Sequence, residues 1–188
     1  VNVSAKQLQQ DDFVEVVERV LRDTGLAAEW LELELTESTA MSDLDQSLEV
    51  FNRLKELGVR IVIDDFGTGY SSLMRMKQLP MDAVKIDRSF IENIALDPRD
   101  RALVMAIVAL ARNLGVEVVA EGVETRAQLE VLRSFDSQPV NMFRCDKVQG
   151  FLFSRPVSPD EIPEFLARRQ ILSSTAPEPR HRAADGTI

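Results

Sequence analysis

Stretches typical of β-strands alternate along the chain with stretches typical of α-helices, and this order limits the fold more than any other feature. Apolar alternation or apolar content predicts five strands, at residues 31–35, 59–63, 82–87, 116–122 and 148–153. Helical spacing of apolar residues fills the intervals. Because strands separated by helices pair in parallel through right-handed crossovers, we expect an α/β fold, either an open doubly wound sheet or a (β/α) barrel.

The predicted helices carry start and stop signals. Asp11 is expected to cap a helix that ends at Gly25, and Asp43 to open one that Gly58 stops. The other helices are predicted before Pro80, from Pro98 to about Leu114, for about ten residues after Thr125, and from Ser158 to about Arg169.

The composition suits one domain. The chain has 188 residues, of which 45% are hydrophobic, enough to bury one core. Residues 173–188 are rich in proline and charge and lack periodicity, so we expect a domain over 1–172 and a disordered tail. No apolar run reaches the ~20 residues that span a bilayer, and no signal peptide opens the chain. We therefore expect a cytoplasmic location and no membrane contact from this segment.

Charge and the rarest residue types exclude several functions. Lys+Arg 22 against Asp+Glu 31 gives a net charge of -9, which argues against binding to a DNA or RNA polymer. A lone cysteine, Cys145, excludes an internal disulfide and a cysteine-ligated zinc site. The single histidine, His181, lies in the predicted tail, which removes catalytic triads and histidine-bound metals. Chemistry in the folded part must use carboxylates, amides and lysines.

Polar residues fall where the predicted strands end. In a barrel the carboxyl ends of the strands meet on one rim, which is the usual catalytic face, and this placement favours the barrel over the open sheet. The residues are Asn2, Glu34, Asp64, Asp65, Lys85, Glu121 and Gln149.

Each of these residues has an ordinary explanation when it is considered alone. Glu34 could face outward, Lys85 could be a solvated charge, and Asp65 could be a turn former. Together, four carboxylates beside one lysine would repel one another unless a cation joined them. Asp, Glu and Asn oxygens suit Mg²⁺ or Mn²⁺, and two such ions about 3.5–4 Å apart would support hydrolysis of a phosphodiester.

Two other interpretations compete with the metal site. Gly67-Thr68-Gly69 could start a dinucleotide-binding loop, but Ser72 stands where that fingerprint requires a third glycine or alanine. Glu34 and Glu121 could form an acid/base pair for a sugar-type substrate. That interpretation leaves the two aspartates and the lysine without roles.

Six ordered blocks of the sequence resemble the EAL-domain phosphodiesterases of bacterial cyclic di-GMP signalling. They are VNVSAKQL (1–8), LELTES (33–38), IDDFGTGYSSL (63–73), VKIDRSFI (84–91), AEGVET (120–125) and VQGFLFSRP (148–156). The resemblance implies a modified (β/α)8 TIM-like barrel that hydrolyses cyclic di-GMP to linear pGpG. It also implies a homodimer formed near the DDFGTG loop, and a further sensor or GGDEF-type domain in the parent protein.

The resemblance also implies roles for individual residues. Asn2, Glu34 and Asp64 look like ligands of one metal, and Asp64 and Asp65 like ligands of a second, with Glu121 nearby directly or through water. Lys85 resembles the group that orients the attacking water or the phosphate, and with Glu121 and Asp65 it makes up the expected catalytic set. The residues expected to bind substrate or position loops are Glu37, Gln149, Asp87 and Glu124.

The chain departs from the family pattern at two places. It begins at Val1 on the family's NVS strand, so we expect the Glu-Ala-Leu segment, one metal ligand and about two strands to be lacking. The chain should then either fold poorly or leave an open sheet edge. Between Glu121 and Gln149 the separation is 28 residues, about eight more than the family pattern, with the surplus in residues 135–145. This insertion could be a surface loop, displace Gln149 or cover the rim.

Two functional hypotheses follow. The first is an active, metal-dependent phosphodiesterase, because every family position that the chain covers holds a usable residue. The second is a catalytically inactive module that binds cyclic di-GMP or a partner protein.

Overall fold

The computed structural model describes residues 1–69, 73–135 and 145–167. Within these ranges, five strands form one parallel sheet in which each strand pairs with the next strand along the chain. The strands are β1 (Glu32–Thr36), β2 (Arg60–Phe66), β3 (Ala83–Ile86), β4 (Glu117–Ala120) and β5 (Lys147–Val148). Strictly sequential order is the pattern of a (β/α) barrel, because a doubly wound sheet reverses its strand order.

Helices connect the strands and cover one face of the sheet. Two 3-10 helices, Ala28–Trp30 and Pro159–Glu161, accompany them. The α-helices of the described residues are α1 (Ala5–Leu8), α2 (Phe13–Thr24), α3 (Glu37–Ser42), α4 (Leu44–Glu56), α5 (Leu73–Met76), α6 (Arg88–Glu92), α7 (Pro98–Asn113), α8 (Arg126–Phe135) and α9 (Ile162–Ala167).

Most of the predicted helix signals are confirmed. Asp43 accepts a hydrogen bond from the Gln46 N–H at the start of α4, and Gly25 ends α2 with a φ of 70°. The prediction for Asp11 is wrong, since α2 begins at Phe13 after Asp12, whose side chain makes no capping hydrogen bond. Because α2 lacks a side-chain cap, packing of its apolar face, with Phe13, Val14, Val17 and Leu21 buried, is what holds this helix in place.

The two faces of the sheet differ sharply in polarity. Every second side chain along the strands is buried on the outer face, beneath the helices. They are Leu33, Leu35, Ile61, Ile63, Val84, Ile86, Val118 and Ala120, each at most 4% exposed. The intervening residues face the inner side, where the charged Glu34, Arg60 and Lys85 lie among the apolar Val62, Ala83 and Val119. The alternation in LELEL thus separates an apolar outer face from a polar inner face.

An ionic network occupies the inner face at the amino ends of the strands. Arg60 on β2 donates to Glu32 on β1 at 3.0 Å and to Glu117 on β4 at 2.7 Å. Lys147 on β5 also binds Glu117, at 3.0 Å. Arg60 reaches past β3 to make its contact with β4, as expected on the concave inner side of a barrel.

The first residues of the chain lie beside β1. The Val3 N–H donates to the Glu34 carbonyl and the Glu34 N–H to the Val1 carbonyl, each at 2.8 Å. These bonds set Asn2 alongside Glu34 in parallel. The sheet of the described residues runs from this segment to β5 without closing, which confirms the prediction of an incomplete TIM-like barrel with an open edge.

The carboxyl-terminal part differs from the prediction. The predicted strand at 148–153 is wrong beyond Val148, because the chain turns there instead of continuing in the sheet. The Gln149 carbonyl accepts from the Val123 N–H at 3.0 Å, and a Cβ at Gly150 would collide with the Val123 backbone. Residues 149–152 therefore bond to the loop after β4. The predicted final helix is divided into a 3-10 turn and α9.

Several short elements escaped prediction, and some predictions lie outside the described residues. The helices α1, α3 and α6 and the turn at Ala28–Trp30 are each six residues or fewer. Most of the insertion, the end of the predicted domain and the tail fall in 136–144 and 168–188. In the described ranges, the helices are too short or too polar to cross a bilayer.

We predict that the Arg60→Met substitution lowers the free energy of unfolding by about 1–2 kcal/mol, because it leaves Glu32 without its partner on the half-buried inner face. The Arg53–Glu15 pair is a matched control: its contact is as short, at 2.6 Å, but its side chains are 43% and 54% exposed. Arg53→Met should therefore change stability much less. Urea unfolding of both variants checks this, and an equal or larger loss for Arg53→Met would contradict it.

Candidate active site

Lys85 lies at the centre of the predicted site. The residue is 6% exposed in the middle of the fully buried strand β3. Its Nζ lies 2.7 Å from Glu121 Oε1, 2.9 Å from Glu34 Oε2 and 3.5 Å from Asp64 Oδ1. These carboxylates come from β1, from the end of β2 and from the end of β4, so the carboxyl ends of the strands converge as a barrel requires.

The electrostatics of the cluster keep Lys85 charged. Burial alone would lower its pKa, but hydrogen bonds to Glu121 and Glu34 and the charge of Asp64 outweigh burial, and the net pKa lies above the ordinary value for lysine. Burial raises the pKa of Glu121, and Asp64 and Glu34 add to this, while Lys85 opposes it. The lysine is thus a permanent cation beside a carboxylate that binds protons more readily than a free glutamate.

An irregularity in β2 brings two adjacent aspartates to the same rim. Side chains normally alternate between the faces of a strand, but the pairing with β3 shifts register between Ile63 and Phe66. Asp65 has a φ of 53°, unusual for a residue other than glycine, and its N–H donates to Asp64 Oδ1 at 3.0 Å. The pKa of Asp65 is raised by burial first and then by Asp64 and Asp87, against the effect of Lys85.

Glu37 lies beneath the loop that follows β2. It is the first residue of α3, is 2% exposed, and accepts a hydrogen bond from the Gly67 N–H at 3.0 Å. A Cβ at Gly69 would lie 2.5 Å from Glu37 Oε1, so the loop passes the carboxylate too closely for any side chain. Residues 70–72, which continue this loop, lie outside the described ranges.

The other predicted site residues lie around this cluster. Asp87 Oδ1 accepts from the Ser89 N–H at 3.0 Å and caps α6, and Glu124 forms an ion pair with Arg88 at 3.0 Å. Gln149 is held by its backbone, through an N–H donated to the Ala120 carbonyl at 2.8 Å. With Glu34 and Lys85 it lines an open cavity of about 300 Å³ that extends along the inner face of the sheet to Glu32 and Lys147. Gln149 therefore lies on the same face as Lys85, while most of the insertion lies outside the described residues.

The donor chemistry of the cluster suits a hard divalent cation, because it offers carboxylate and amide oxygens and neither cysteine nor histidine. Within the described ranges, however, no three Asp, Glu, His or Cys side chains are grouped closely enough to hold a metal ion. Glu34, Asp64 and Glu121 instead surround the Lys85 ammonium. Metal ligation by these residues, by Asp65 and by Asn2 stays a prediction.

Sequence reasoning missed two residues near the site. Arg88 pairs with Glu124 and lies against Gly122, where it leaves no room for a Cβ. Gln128 is a buried polar residue of α8, 6% exposed. Its signal was present in Thr125-x-x-Gln128, the pattern of a capping box. Arg88 had no comparable sequence signal beyond its place after Asp87.

We predict that Gly67→Ala destabilises the protein by about 2–4 kcal/mol, because its φ is 95° and a Cβ would lie 3.0 Å from Ile107 and 3.2 Å from Phe90. Gly25→Ala is the control, since Gly25 also has a positive φ, of 70°, but open space around it, and it should cost about 1 kcal/mol. Denaturant unfolding measures both values. Equal losses would show that Gly67 is not tightly packed.

A model of the EAL domain family matches residues 1–156. The cyclic di-GMP phosphodiesterase NbdA of Pseudomonas aeruginosa is 48% identical over 166 residues, which are 88% of this chain and 20% of NbdA. The bifunctional diguanylate cyclase/cyclic di-GMP phosphodiesterase MucR of the same organism is 47% identical over 162 residues, 86% of this chain and 22% of MucR. The chain therefore spans about a fifth of the length of these relatives.

Solved structures give the same result. The complex of the MucR phosphodiesterase with c-di-GMP is similar to this chain with a TM-score of 0.79 at 47% identity, covering 86% of this chain and 62% of that one. The manganese/cyclic di-GMP complex of Klebsiella pneumoniae BlrP1 at pH 9.0 is similar with a TM-score of 0.73 at 31% identity, covering 83% and 38%. The parallel strand order, the rim of carboxylates around Lys85 and these matches agree, and the chain belongs to the EAL domain family.

Proposed function

We propose that this domain is a metal-dependent phosphodiesterase that hydrolyses cyclic di-GMP to linear pGpG in bacterial second-messenger signalling. The observation that carries the proposal is the buried Lys85 ammonium, which gathers Glu34, Asp64 and Glu121 at the carboxyl ends of the strands. Two relatives with 47–48% identity are named as cyclic di-GMP phosphodiesterases, and one of them is solved with c-di-GMP.

Mg²⁺ or Mn²⁺ is the proposed cofactor, in a two-metal site. The residues that would hold the ions are Asn2, Glu34, Asp64, Asp65 and Glu121. Their oxygen donors support this, as does the manganese in the BlrP1 structure. Bound there, the ions would lower the pKa of water and offset the charge of the phosphodiester.

The reaction adds water across one phosphodiester. To leave a 5′-phosphate on pGpG, the water oxygen attacks phosphorus, the bond from phosphorus to the 3′ oxygen breaks, and that oxygen takes up a proton. Asp65 and Glu121 are the carboxylates proposed to accept the proton that the water loses. Lys85, whose pKa is raised, keeps its protons and therefore stabilises negative charge on the phosphate or orients the water.

Four further residues would place the substrate and the loops. Glu37 holds the DDFGTG loop through Gly67, and Asp87 caps α6 beside Asp65. Glu124 is fixed by Arg88 on the loop that carries Glu121, and Gln149 lines the cavity beside Lys85. Their positions around the cluster support the proposed roles.

The setting of the domain is also a proposal. We infer that it works in the cytoplasm, forms a homodimer and shares its protein with a sensor or GGDEF-type domain. The further domain is supported by the length of the relatives, since this chain spans about a fifth of them, and by the name of MucR as a bifunctional diguanylate cyclase/cyclic di-GMP phosphodiesterase.

A second candidate function is a receptor that binds cyclic di-GMP without cleaving it. One observation favours this candidate: the carboxylates Glu34 and Glu121 are already paired with Lys85, and the described residues show no ready cluster for a metal. Such a receptor would bind the dinucleotide with an affinity that does not depend on divalent cations.

We predict that the full-length protein releases pGpG from cyclic di-GMP with Mg²⁺ or Mn²⁺, that a chelator stops the reaction, and that Asp64→Asn lowers kcat at least about 100-fold. The Asn side chain keeps the size of Asp64 but loses its charge. Asp43→Asn is the matched control: Asp43 caps α4 on the surface, and asparagine caps helices as well, so activity should stay unchanged. Chromatography of the products measures the rates.

The outcomes separate the two candidates. Turnover that is abolished by a chelator and by Asp64→Asn supports the enzyme. Calorimetry that shows tight binding without turnover, unchanged by a chelator, contradicts the enzyme and supports the receptor. Turnover unaffected by Asp64→Asn contradicts the proposed site.

A further inference from the structure

Gln128 makes an unusual set of hydrogen bonds for a residue in the first turn of a helix. It is the third residue of α8 and is 6% exposed. Its Oε1 accepts from the Glu124 N–H at 2.8 Å and from the Thr125 N–H at 2.9 Å, and its Nε2 donates to the Glu92 carbonyl at 3.1 Å. The side-chain amide is thus paired on both its oxygen and its nitrogen.

Only part of this set serves the helix end. A capping box needs the bond from the Gln128 N–H to Thr125 Oγ1, at 3.2 Å, and the return bond from the Thr125 N–H to the Gln128 side chain. The bonds to the Glu124 N–H and to the Glu92 carbonyl are not part of a capping box. Because Glu92 ends α6, 36 residues earlier, the amide of Gln128 joins the loop after β4 to α6.

This loop, residues 121–125, carries Glu121 of the active site and has neighbours on both sides. Glu121 donates its N–H to the Ile86 carbonyl at 3.2 Å, at the end of β3. Gly122 has a φ of 68° and lies against the Arg88 side chain. Val123 is fully buried, and it donates to the Gln149 carbonyl and accepts from the Leu152 N–H, each at 3.0 Å.

A shift of the loop would therefore change two parts of the site together. Glu121 would move relative to the Lys85 ammonium, 2.7 Å away, and Gln149 would lose Val123, one of its two backbone partners. Loss of the Gln128 amide would also remove the side-chain partner of the Glu124 N–H and of the Glu92 carbonyl.

We propose that Gln128 is a positioning residue for catalysis, which sets the loop that presents Glu121 and Gln149 to the substrate. The inference rests on the proposed phosphodiesterase activity. Gln128 does not contact the reacting atoms, so its removal should slow the chemical step more than it weakens substrate binding.

The test compares three variants in the full-length protein. Gln128→Met keeps a long unbranched side chain and removes the three side-chain bonds, and kcat for cyclic di-GMP should fall at least about 10-fold while KM changes less than about threefold. Gln128→Glu keeps an acceptor for the two N–H groups but loses the donor to Glu92, and it should restore part of kcat. Leu132→Val, on the same helix, is the control, because Leu132 is 2% exposed in the core, so the substitution lowers stability while it leaves the side-chain hydrogen bonds of Gln128 in place.

The outcomes decide the proposal in each case. A fall in kcat for Gln128→Met well beyond that of Leu132→Val, with recovery in Gln128→Glu, supports it. Equal effects of Gln128→Met and Leu132→Val overturn it. If the wild-type protein shows no turnover, the proposed function fails, and amide hydrogen exchange then tests positioning alone. Faster exchange of the Glu121 and Val123 N–H groups, which Gln128 does not bind, in Gln128→Met but not in Leu132→Val supports positioning, and unchanged exchange of these two groups overturns it.

Discussion

The structure depends on one buried ammonium group. Lys85 stands in the middle of a strand whose four residues are all buried, and three carboxylates from three other parts of the chain meet its Nζ. Burying that charge alone would be costly. The carboxylates offset this cost for the lysine, and the lysine in turn offsets the repulsion among the carboxylates. The same ion pairs fix the ends of β1, β2 and β4 relative to β3, and they make the rim a place where charges of both signs are organised before a substrate arrives.

The fold follows closely from patterns in the sequence. Alternation in LELEL and the regular succession of strands and helices predict a parallel sheet with one polar face, and the polar residues at the strand ends predict which side chains meet. These patterns are local in the sequence, and the predictions that the structure confirms are those that depend on local patterns. The start of α2 was misplaced by one residue because Asp11 and Asp12 are equally good candidates, and neither side chain is held there by a hydrogen bond that sequence could reveal.

The features that escaped prediction depend on distant parts of the chain. The sequence predicts Asp64 and Asp65 together on the rim but not the backbone irregularity there, because alternation alone would put them on opposite faces. The register shift against β3 and the positive φ of Asp65 are the features that sequence did not indicate. The last strand is short because the Gln149 carbonyl bonds to Val123, in the loop after β4, and not to β4 itself. Gln128 was hidden for the same reason, since its capping pattern is local but its bond to the Glu92 carbonyl is not. Geometry of this kind is set by packing between segments.

The central proposal is that the carboxylate rim around Lys85 binds divalent cations beside a phosphodiester. Anomalous diffraction from crystals of the full-length protein grown with Mn²⁺ and cyclic di-GMP tests this most directly. The account predicts two manganese peaks about 3.5–4 Å apart, bounded by Glu34, Asp64, Asp65 and Glu121 and lying against the dinucleotide phosphate. Cyclic di-GMP bound at this rim with no manganese peak beside those residues would contradict it.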